Sequence, residues 1–239
     1  MSEQFKRTKM LIGEDKFISL QKKRVAIFGV GGVGGYVFEA LIRTGVLEFD
    51  IIDNDVISLS NINRQIIALH SNVGNYKVDE LKKRGLEINP AAKINVYKTF
   101  VLDKNISDFP FEKYDYVIDA LDTINAKIAI IEEANKYNIP VISSMGTGNK
   151  INPLDIKVTD IYKTKVCPLA RVMRYELKKR GIKKLKVAYS EEEIRDNKYE
   201  IEVKENGRPV PSSIAFVPSV CGLVIASEVV KDLIGWKNR

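Results

Sequence analysis

Residues 24–36, RVAIFGVGGVGGY, decide the fold class of this 239-residue chain. The apolar run Arg24–Phe28 predicts a buried strand, and the glycine-rich loop at residues 29–34 leads directly into an amphipathic stretch. Glycines at such a strand-to-helix turn let backbone N–H groups and the helix N-terminus approach a phosphate closely. The stretch therefore predicts a nucleotide site, with a glycine-rich turn for helix packing as the alternative.

The following sequence continues to alternate between apolar and amphipathic segments as far as residue 145. Five strands are expected, at Arg24–Phe28, Leu47–Asp53, Lys93–Thr99, Tyr114–Ala120 and Ile139–Ser143. Three helices are expected between them, at Val33–Thr44, Tyr76–Ile88 and Thr123–Tyr137. This order predicts an α/β, Rossmann-like fold with a mostly parallel sheet and flanking helices.

The alternation decays after residue 148, where we expect a C-terminal α+β elaboration. Its expected elements are a strand at Leu154–Thr159, exposed strands at Lys184–Tyr189 and Tyr199–Lys204, an acidic loop or short helix at Ser190–Asp196, and helices at Pro168–Arg180 and Val220–Ile234. We divide the chain into a nucleotide-binding core at residues 1–150 and an elaboration at residues 151–239 that belongs to the same domain.

The composition excludes several classes of protein. Hydrophobic residues make up 45% and charged residues 29% of the chain, which excludes wholesale disorder. Cys167 and Cys221 are too few for a four-cysteine zinc site and favour a reducing compartment. The N-terminus lacks a long apolar core, and the longest uncharged run, residues 209–227, contains three prolines. We therefore expect a cytoplasmic protein without a secretory signal or a membrane span.

The charge distribution favours an anionic partner, because the formal net charge is +7. Much of the excess lies at residues 171–186, where eight basic residues accompany one acidic residue. Two interpretations remain open: a solvated helix face, or a patch that contacts the phosphates of a nucleic acid. In the second, the contacting residues would be Arg171, Arg174, Lys178, Lys179 and Arg180.

Polar residues follow the second expected strand. Asp53 ends that strand, where a carboxylate can accept hydrogen bonds from ribose hydroxyls. Arg64, with Asn61 three residues earlier, and Lys77 come next along the chain. Two cations that converge near a nucleotide suit a polyphosphate, whereas NAD does not require them. The alternatives are that Arg64 braces its loop and that Lys77 forms a surface ion pair.

Two acidic residues lie at the end of the fourth expected strand. Asp119 and Asp122 are placed at the ligand edge of the sheet, where a carboxylate is a candidate ligand for Mg²⁺. Asp122 is expected to be the more exposed of the two, because it lies at the start of a helix. A role as helix N-cap is its alternative.

Four motifs then occur in a recognisable order: GVGGVGG at residues 29–35, DNDVISLSNINRQ at 53–65, VGNYKV at 73–78 and DALDT at 119–123. Over about residues 5–150 the chain resembles the ubiquitin-activating-enzyme-like superfamily of carboxylate adenylators, which includes ThiF-, MoeB- and HesA-type proteins. The resemblance implies ATP contacts from Gly29, Gly31, Gly32, Gly34, Asp53, Asp55, Asn61, Arg64, Gln65 and Lys77.

The resemblance also implies a catalytic set, Arg64, Lys77, Asp122 and Arg7. In this set Asp122 holds Mg²⁺, and Arg7 reaches the γ-phosphate of the ATP bound to the other subunit of a homodimer. The alternative for Arg7 is that it belongs to a disordered basic tail. The superfamily's reaction is attack of a carboxylate on the α-phosphate with release of pyrophosphate. Because that nucleophile arrives ionised, no histidine or cysteine base is required, and His70 is expected to be a turn or capping residue.

The C-terminal part carries a narrower resemblance. It has no CxxC motif, so no zinc is expected, and residues 157–190 and 213–235 closely resemble the tRNA threonylcarbamoyladenosine dehydratase branch. In that branch the threonyl carboxylate of a modified adenosine is adenylated and then attacked by the neighbouring carbamoyl oxygen, which closes a ring with net loss of water. The resemblance implies an ATP-dependent ligase or cyclase acting on tRNA, with pyrophosphate and then AMP released.

The cysteines receive no catalytic role. Some members of this branch have a cysteine associated with sulfur-relay partners, but the residues around Cys221 differ, so that role is not transferred, and a sulfur-relay protein remains a candidate partner. Cys221 is expected to be buried among apolar neighbours. Cys167, close to Lys165, could have a more reactive thiolate.

Three other functions remain open. One is adenylation of the C-terminus of a ubiquitin-like sulfur-carrier protein, which the missing zinc cysteines count against. The second is a catalytically idle module that binds a nucleotide or tRNA. The third is NAD-dependent oxidoreduction, which the cations after the second strand disfavour.

Overall fold

A computed structural model describes residues 3–193 and 210–236 of the chain. Its helices are α1 (Lys6–Ile12), α2 (Glu14–Gln21), α3 (Gly34–Thr44), α4 (Lys77–Ile88), α5 (Ile124–Lys136), α6 (Pro168–Lys179) and α7 (Phe216–Leu233). Its strands are β1 (Arg24–Phe28), β2 (Glu48–Ile52), β3 (Lys93–Tyr97), β4 (Tyr116–Asp119), β5 (Val141–Ser144), β6 (Ile156–Asp160) and β7 (Lys186–Ser190).

These strands form one sheet in the order β3-β2-β1-β4-β5-β7-β6. Strands β1 to β5 and β7 run parallel, and β6 runs antiparallel to β7 at the edge. The chain moves outward from β1 to β3 and then returns to place β4 on the other side of β1. The direction of winding therefore reverses between β1 and β4, which is where open α/β sheets bind ligands. The prediction of a Rossmann-like, mostly parallel sheet is confirmed.

Local signals account for the bounds of the elements. Helix α3 ends at Gly45, which has a φ of +117° and donates its N–H to the carbonyl oxygen of Leu41. Helix α6 begins with Pro168, which lacks an N–H and suits the first turn of a helix. The five strands predicted before residue 145 all form, with ends that differ by two residues at most from the predicted ones.

Strand β7 corrects one prediction. We expected an exposed strand at Lys184–Tyr189, but β7 lies between β5 and β6 and residues 187–190 are buried. The prediction failed because of the lysine at the start of the strand. Lys186, the first residue of β7, forms an ion pair with Asp232 of α7, while the apolar residues that follow pack in the core. The expected strand Tyr199–Lys204 and the second half of Ser190–Asp196 lie outside the described residues. Strands β6 and β7 extend the same sheet, so residues 151–193 do not form a separate layer.

Helices cover both faces of the sheet. Helices α3, α4 and α7 pack on one face, and α5 and α6 pack on the other. Helix α7 lies close to the start of α3. A Cβ added to Gly222 would lie 2.5 Å from the carbonyl oxygen of Val33, the N-cap residue of α3. None of the helices in residues 3–193 and 210–236 is both long enough and apolar enough to cross a membrane.

Candidate active site

The glycine loop begins where β1 ends. Gly29 has a φ of +88°, and a Cβ added to it would lie 2.8 Å from the carbonyl oxygen of Ala120. Gly34 packs against the start of the loop, where an added Cβ would lie 1.8 Å from the carbonyl oxygen of Gly29. Both positions therefore exclude a side chain. The loop is held against the end of β4, and Gly31 and Gly32 line the space beside it.

That space is a cavity of about 350 Å³ at the carboxyl edge of the sheet. Nine of the ten residues predicted to contact ATP line it, and so does Asp122; the nine are Gly29, Gly31, Gly32, Asp53, Asp55, Asn61, Arg64, Gln65 and Lys77. The tenth, Gly34, is buried behind the loop and is not part of the cavity wall, so its visible role is packing.

Asp53 is a buried acceptor in the cavity wall. Its Oδ2 accepts the N–H of Val30 and its Oδ1 accepts the N–H of Asp55, both at 2.9 Å. Burial raises the pKa of the Asp53 carboxyl, although the charge of Lys77 and these two hydrogen bonds act in the opposite direction. Each carboxylate oxygen has a second acceptor position. The carboxylate can therefore accept further hydrogen bonds from hydroxyl groups in the cavity.

Lys77 supplies a positive charge at the same wall. It begins α4, is 6% exposed, and its Nζ donates to Oδ2 of Asp55 at 2.7 Å. The ion pair is not a surface pair as the alternative had it, because only the Asp55 side chain is exposed. An ammonium group has three N–H donors, and this bond occupies one of them.

Arg64 lies in the loop between β2 and α4. Its Nη1 donates to the carbonyl oxygen of Ser60 at 2.8 Å and to Oδ1 of Asn63 at 2.9 Å. Arg64 thus braces its loop and also lines the cavity. The two roles are compatible, because a guanidinium carries five N–H donors in a fork.

Two amides complete this side of the cavity. Oδ1 of Asn61 accepts the N–H of Ser58 at 3.1 Å. The buried Oε1 of Gln65 has no hydrogen-bond partner among the described residues. Because that oxygen has almost no accessible surface, a ligand reaches it only if the Gln65 side chain turns.

The two candidate magnesium ligands have different environments. Asp119 is fully buried: its Oδ2 forms an ion pair with Nζ of Lys127 at 2.9 Å and accepts from the hydroxyl of Ser143 at 2.5 Å. Because Asp119 is 0% exposed and does not line the cavity, it is not placed to ligate a metal there. Asp122 is exposed on the cavity wall, where the Thr123 hydroxyl lies 3.4 Å from its Oδ1. Thr123, and not Asp122, occupies the N-cap position of α5.

Asp122 fits a magnesium site in which the phosphates of a bound nucleotide supply further ligands. No group of three or more His, Cys, Asp or Glu side chains that could hold a metal ion occurs in residues 3–193 and 210–236. Mg²⁺ is commonly bound by one or two carboxylates together with the phosphates of a nucleotide, so a single carboxylate beside the cavity is sufficient.

The remaining predicted residues lie outside the cavity. Arg7 is exposed on α1 and does not line the cavity of its own chain, and His70 is exposed in a short turn. Cys167 and Cys221 are both buried, at 2% and 0% exposure. Burial raises the pKa of the Cys221 thiol to about 11. Neither thiol is placed for chemistry in the cavity.

The basic segment at residues 171–186 runs away from the cavity. Its first residues lie within α6, and it ends at Lys186, which begins β7 at the amino edge of the sheet. Several of its cations bind within the chain: Arg174 donates to Thr164, and Arg180 pairs with Glu176 at 2.6 Å. Lys179 lies over the ring of Tyr175 at 4.0 Å. These contacts favour the solvated-face interpretation for those three cations, whereas Arg171 and Lys178 keep exposed side chains.

A family model described as the ThiF family matches residues 5–239. The chain belongs to the ThiF family. This ThiF-family chain is 42% identical over 244 residues to the tRNA threonylcarbamoyladenosine dehydratase of Bacillus subtilis (strain 168), across 98% of this chain and 96% of that protein. It is 38% identical over 176 residues to the dehydratase of the same name from Escherichia coli (strain K12), across 74% of this chain and 66% of that one.

Solved structures lead to the same family. The chain superimposes on the crystal structure of E. coli tRNA N6-threonylcarbamoyladenosine dehydratase, TcdA, in complex with AMP with a TM-score of 0.89 and 30% identity, covering 98% of this chain and 94% of that one. The complex of TcdA with ATP gives a TM-score of 0.88 at the same identity and coverage. The predicted resemblance to the superfamily is confirmed over nearly the whole chain.

Sequence reasoning missed several residues of the site. Three further residues line the cavity: Thr147, which follows β5, Ser213, which precedes α7, and Pro218, which lies in the first turn of α7. Their only signal is composition: Thr147 lies in a Gly-Thr-Gly triplet after a strand, and Pro218 lies in an uncharged run. Lys127, which forms an ion pair with Asp119, looks in the sequence like an ordinary solvent-exposed lysine of a helix.

Proposed function

We propose that this chain is an ATP-dependent enzyme that cyclises N6-threonylcarbamoyladenosine in tRNA by activating the threonyl carboxylate. The observation that carries the proposal is the cavity at the β1–β4 crevice, whose wall combines the buried acceptor Asp53 with the cations Arg64 and Lys77. The B. subtilis dehydratase, 42% identical over 98% of this chain, supports the choice of acceptor.

The chain's own groups would act mainly by positioning and by charge neutralisation. Asp53 accepts hydrogen bonds from the ribose of ATP, and the backbone of Gly31 and Gly32 lies along the phosphates. Arg64 and Lys77 neutralise charge as it develops on the transferring phosphoryl group and on the leaving pyrophosphate. In such a site most of the barrier reduction comes from alignment of the attacking and leaving oxygens.

The reaction balances in two steps. A carboxylate oxygen of the threonyl group bonds to the α-phosphorus, the bond from that phosphorus to the bridging oxygen breaks, and pyrophosphate leaves. The carbamoyl oxygen then bonds to the acyl carbon, the acyl–oxygen bond to AMP breaks, and a ureido nitrogen loses its proton as the ring closes. The nucleophile of the first step is already ionised, so that step needs no base. The proton released in the second step passes to water, and the exposed His70, which lies outside the cavity, has no part in the first step.

Asp122 is the residue that would hold Mg²⁺ beside the phosphates. When bound there, the ion would add positive charge opposite Arg64 and Lys77 and make pyrophosphate a better leaving group. A carboxylate exposed on the cavity wall supports this assignment, since Mg²⁺ prefers oxygen ligands.

A homodimer would complete the catalytic set through Arg7. Arg7 lies on α1, where Met10 and Leu11 are 77% and 76% exposed. A mainly apolar groove of about 340 Å³ lies between α1, α3 and α7. Exposed apolar surface of this kind favours burial against another protein. We propose that a second copy covers it and that each Arg7 serves the partner's cavity.

Subunit mixing tests the dimer. Arg7→Ala and Arg64→Ala homodimers should each be nearly inactive. After subunit exchange, a random mixture should recover about a quarter of wild-type activity, because half of the dimers then contain one intact site. A mixture that stays inactive, or a wild-type protein that sediments as a monomer, would contradict a shared site.

Contact with tRNA is proposed for the exposed cations of α6. Arg171 and Lys178 are exposed members of the predicted set, and phosphate contacts would position the tRNA without reading its sequence. Both cysteines are buried, so the proposal includes no sulfur relay through this chain. A tRNA substrate also agrees with the cytoplasm as the place of reaction.

The main test is AMP release from ATP by the purified protein, with and without tRNA that carries the threonylcarbamoyl group. We expect AMP only with the modified tRNA, and the cyclic nucleoside in mass spectra of gently digested product. Arg64→Ala should lower the rate by roughly 100-fold or more. Arg43→Ala is the matched control, since Arg43 is an exposed arginine at the far end of α3. AMP release that responds to a diglycine-ended carrier protein instead of tRNA would favour sulfur-carrier adenylation.

A further inference from the structure

Lys127 is a fully buried lysine that the proposed chemistry does not use. It lies in the first turn of α5, and both it and Asp119 are 0% exposed. A lysine is rarely buried completely, because removal of the ammonium from water is costly unless it is paired and fully hydrogen-bonded. Its contacts therefore indicate why the fold retains it.

Lys127 Nζ has three close partners. It donates to the carbonyl oxygen of Leu121 at 2.8 Å and to the carbonyl oxygen of Ser144 at 2.8 Å, and it forms an ion pair with Oδ2 of Asp119 at 2.9 Å. Two of the three ammonium donors are therefore used by backbone carbonyls, and the carboxylate balances the charge. A backbone N–H, that of Leu121, also donates to Oδ1 of Asp119 at 3.2 Å.

The two carbonyl groups belong to different walls of the cavity. The Leu121 carbonyl shares its peptide group with the N–H of Asp122, and residues 120–123 line the cavity. Ser144 ends β5, three residues before Thr147, which lines the cavity from the other side. Lys127 therefore ties the turn after β4 to the exit of β5 through one side chain.

We infer that Lys127 is a positioning residue that fixes the peptide before Asp122 and thereby the placement of the Asp122 carboxylate beside the triphosphate. The inference rests on the proposed function for the assignment of ATP and Mg²⁺ to this cavity. Lys127 contacts neither of them. It acts by holding two backbone carbonyls at a fixed separation.

A purely stabilising role predicts a different outcome. A buried ion pair can be replaced by an uncharged pair of similar shape with little loss of stability, whereas removal of one partner alone is strongly destabilising. If Lys127 only neutralises Asp119, removal of both charges should restore the protein in every respect. If it positions the two walls, the fold should recover and nucleotide binding should not.

The test compares three variants by thermal melting and by calorimetric titration of ATP at several magnesium concentrations. Asp119→Asn removes the ion pair but keeps both lysine–carbonyl bonds. The double variant Asp119→Asn/Lys127→Met removes the bonds as well, and no buried charge is left unpaired. Lys127→Met alone leaves Asp119 buried without its cation.

The double variant should melt above both single variants, because it leaves no buried charge unpaired, but it should bind ATP in the presence of Mg²⁺ roughly tenfold more weakly than Asp119→Asn, since displacement of a positioned group by a fraction of an ångström has effects of that order. Without Mg²⁺ the difference should shrink, because Asp122 acts through the ion. Asp119→Asn should retain nearly wild-type affinity. Equal affinities of the double variant and Asp119→Asn would overturn the inference.

Arg24→Met provides the matched control for the single Lys127→Met variant. Arg24 donates to the buried Asp50 at 2.9 Å and begins β1, at the edge of the sheet away from the cavity. Its loss should lower the melting temperature and leave ATP affinity unchanged, whereas Lys127→Met should lower both. Equal behaviour of the two variants would also overturn the inference. If the wild type binds ATP and Mg²⁺ but releases no AMP with modified tRNA, the proposed function fails while the binding data still decide the role of Lys127.

Discussion

Two aspartates three residues apart, one within β2 and one just after it, have different environments. Asp50 is fully buried in β2, and its carboxylate accepts from Arg24 at 2.9 Å, Asn95 at 2.8 Å, Tyr114 at 2.8 Å and Tyr97 at 3.1 Å. Asp53 follows β2 at the carboxyl edge and accepts two backbone N–H groups. The satisfied carboxylate stabilises the fold, and the incompletely satisfied one is left for a ligand.

The largest effect is expected when the satisfied carboxylate is removed. Asp50→Ala should lower the free energy of unfolding by about 3–5 kcal/mol, because it leaves a partly buried guanidinium without its partner. It should have little effect on the ATP affinity of the molecules that remain folded. Urea denaturation and calorimetry measure the two quantities. A stable Asp50→Ala protein would show that the cluster around Asp50 is not needed for the fold.

The converse is expected for Asp53→Ala. Loss of the proposed ribose acceptor should weaken ATP binding by roughly tenfold or more, since a hydrogen bond to a charged group contributes about 1.5–3 kcal/mol. Burial raises the pKa of Asp53, so the stability that its protonated form contributes is lost as pH rises through that pKa. At neutral pH the variant should therefore lose less stability than Asp50→Ala, although the N–H groups of Val30 and Asp55 lose their acceptor. A large drop in melting temperature with unchanged affinity would reverse the comparison with Asp50.

Alkaline titration sharpens the picture of the Asp50 cluster. Burial, and then the neighbouring Asp50 charge, raise the pKa of Tyr114 far above its usual value. A group whose pKa is raised by folding contributes stability that is complete below its unfolded pKa, roughly 10, and is lost as pH rises above it. Tyr114→Phe should therefore flatten the loss of stability above that pH. Phenolate absorbance that develops fully before unfolding would contradict this expectation.

The smallest effect is expected at the two thiols. Cys167 and Cys221 are buried, and the pKa of Cys221 is raised to about 11. A chromophoric thiol reagent should react with neither cysteine in the native protein and with both cysteines in denaturant. Fast reaction of either thiol without denaturant would reopen the role of a sulfur-relay partner.

Local patterns made most of the sheet predictable. Strands β1 to β5 are short apolar runs separated by amphipathic helices, and the glycine loop marks where the nucleotide edge begins. The residues around Asp53, Arg64 and Lys77 come from segments that directly follow β2, so the rule that ligands bind at carboxyl ends was enough to group them.

The rest depended on contacts between distant parts of the chain. Nothing local shows that β7 inserts beside β5, because Lys184 before the strand and Lys186 at its start resemble the lysines of an exposed strand. The sequence favoured Asp122 over Asp119 because Asp122 lies at a helix start, but it did not show that Asp119 pairs with Lys127, whose burial follows from the packing of α5 and not from its neighbours in sequence. Ser213 and Pro218 reach the cavity only because α7 packs on α3.

The contact of α7 with the glycine loop has a consequence for synthesis of the protein. Pro218 lies against Gly32, since a Cβ on that glycine would be 3.3 Å from it, and Gly222 sits on the carbonyl oxygen of Val33. During synthesis the glycine loop is therefore made long before α7, and it gains this packing only when α7 has been made and has folded against it.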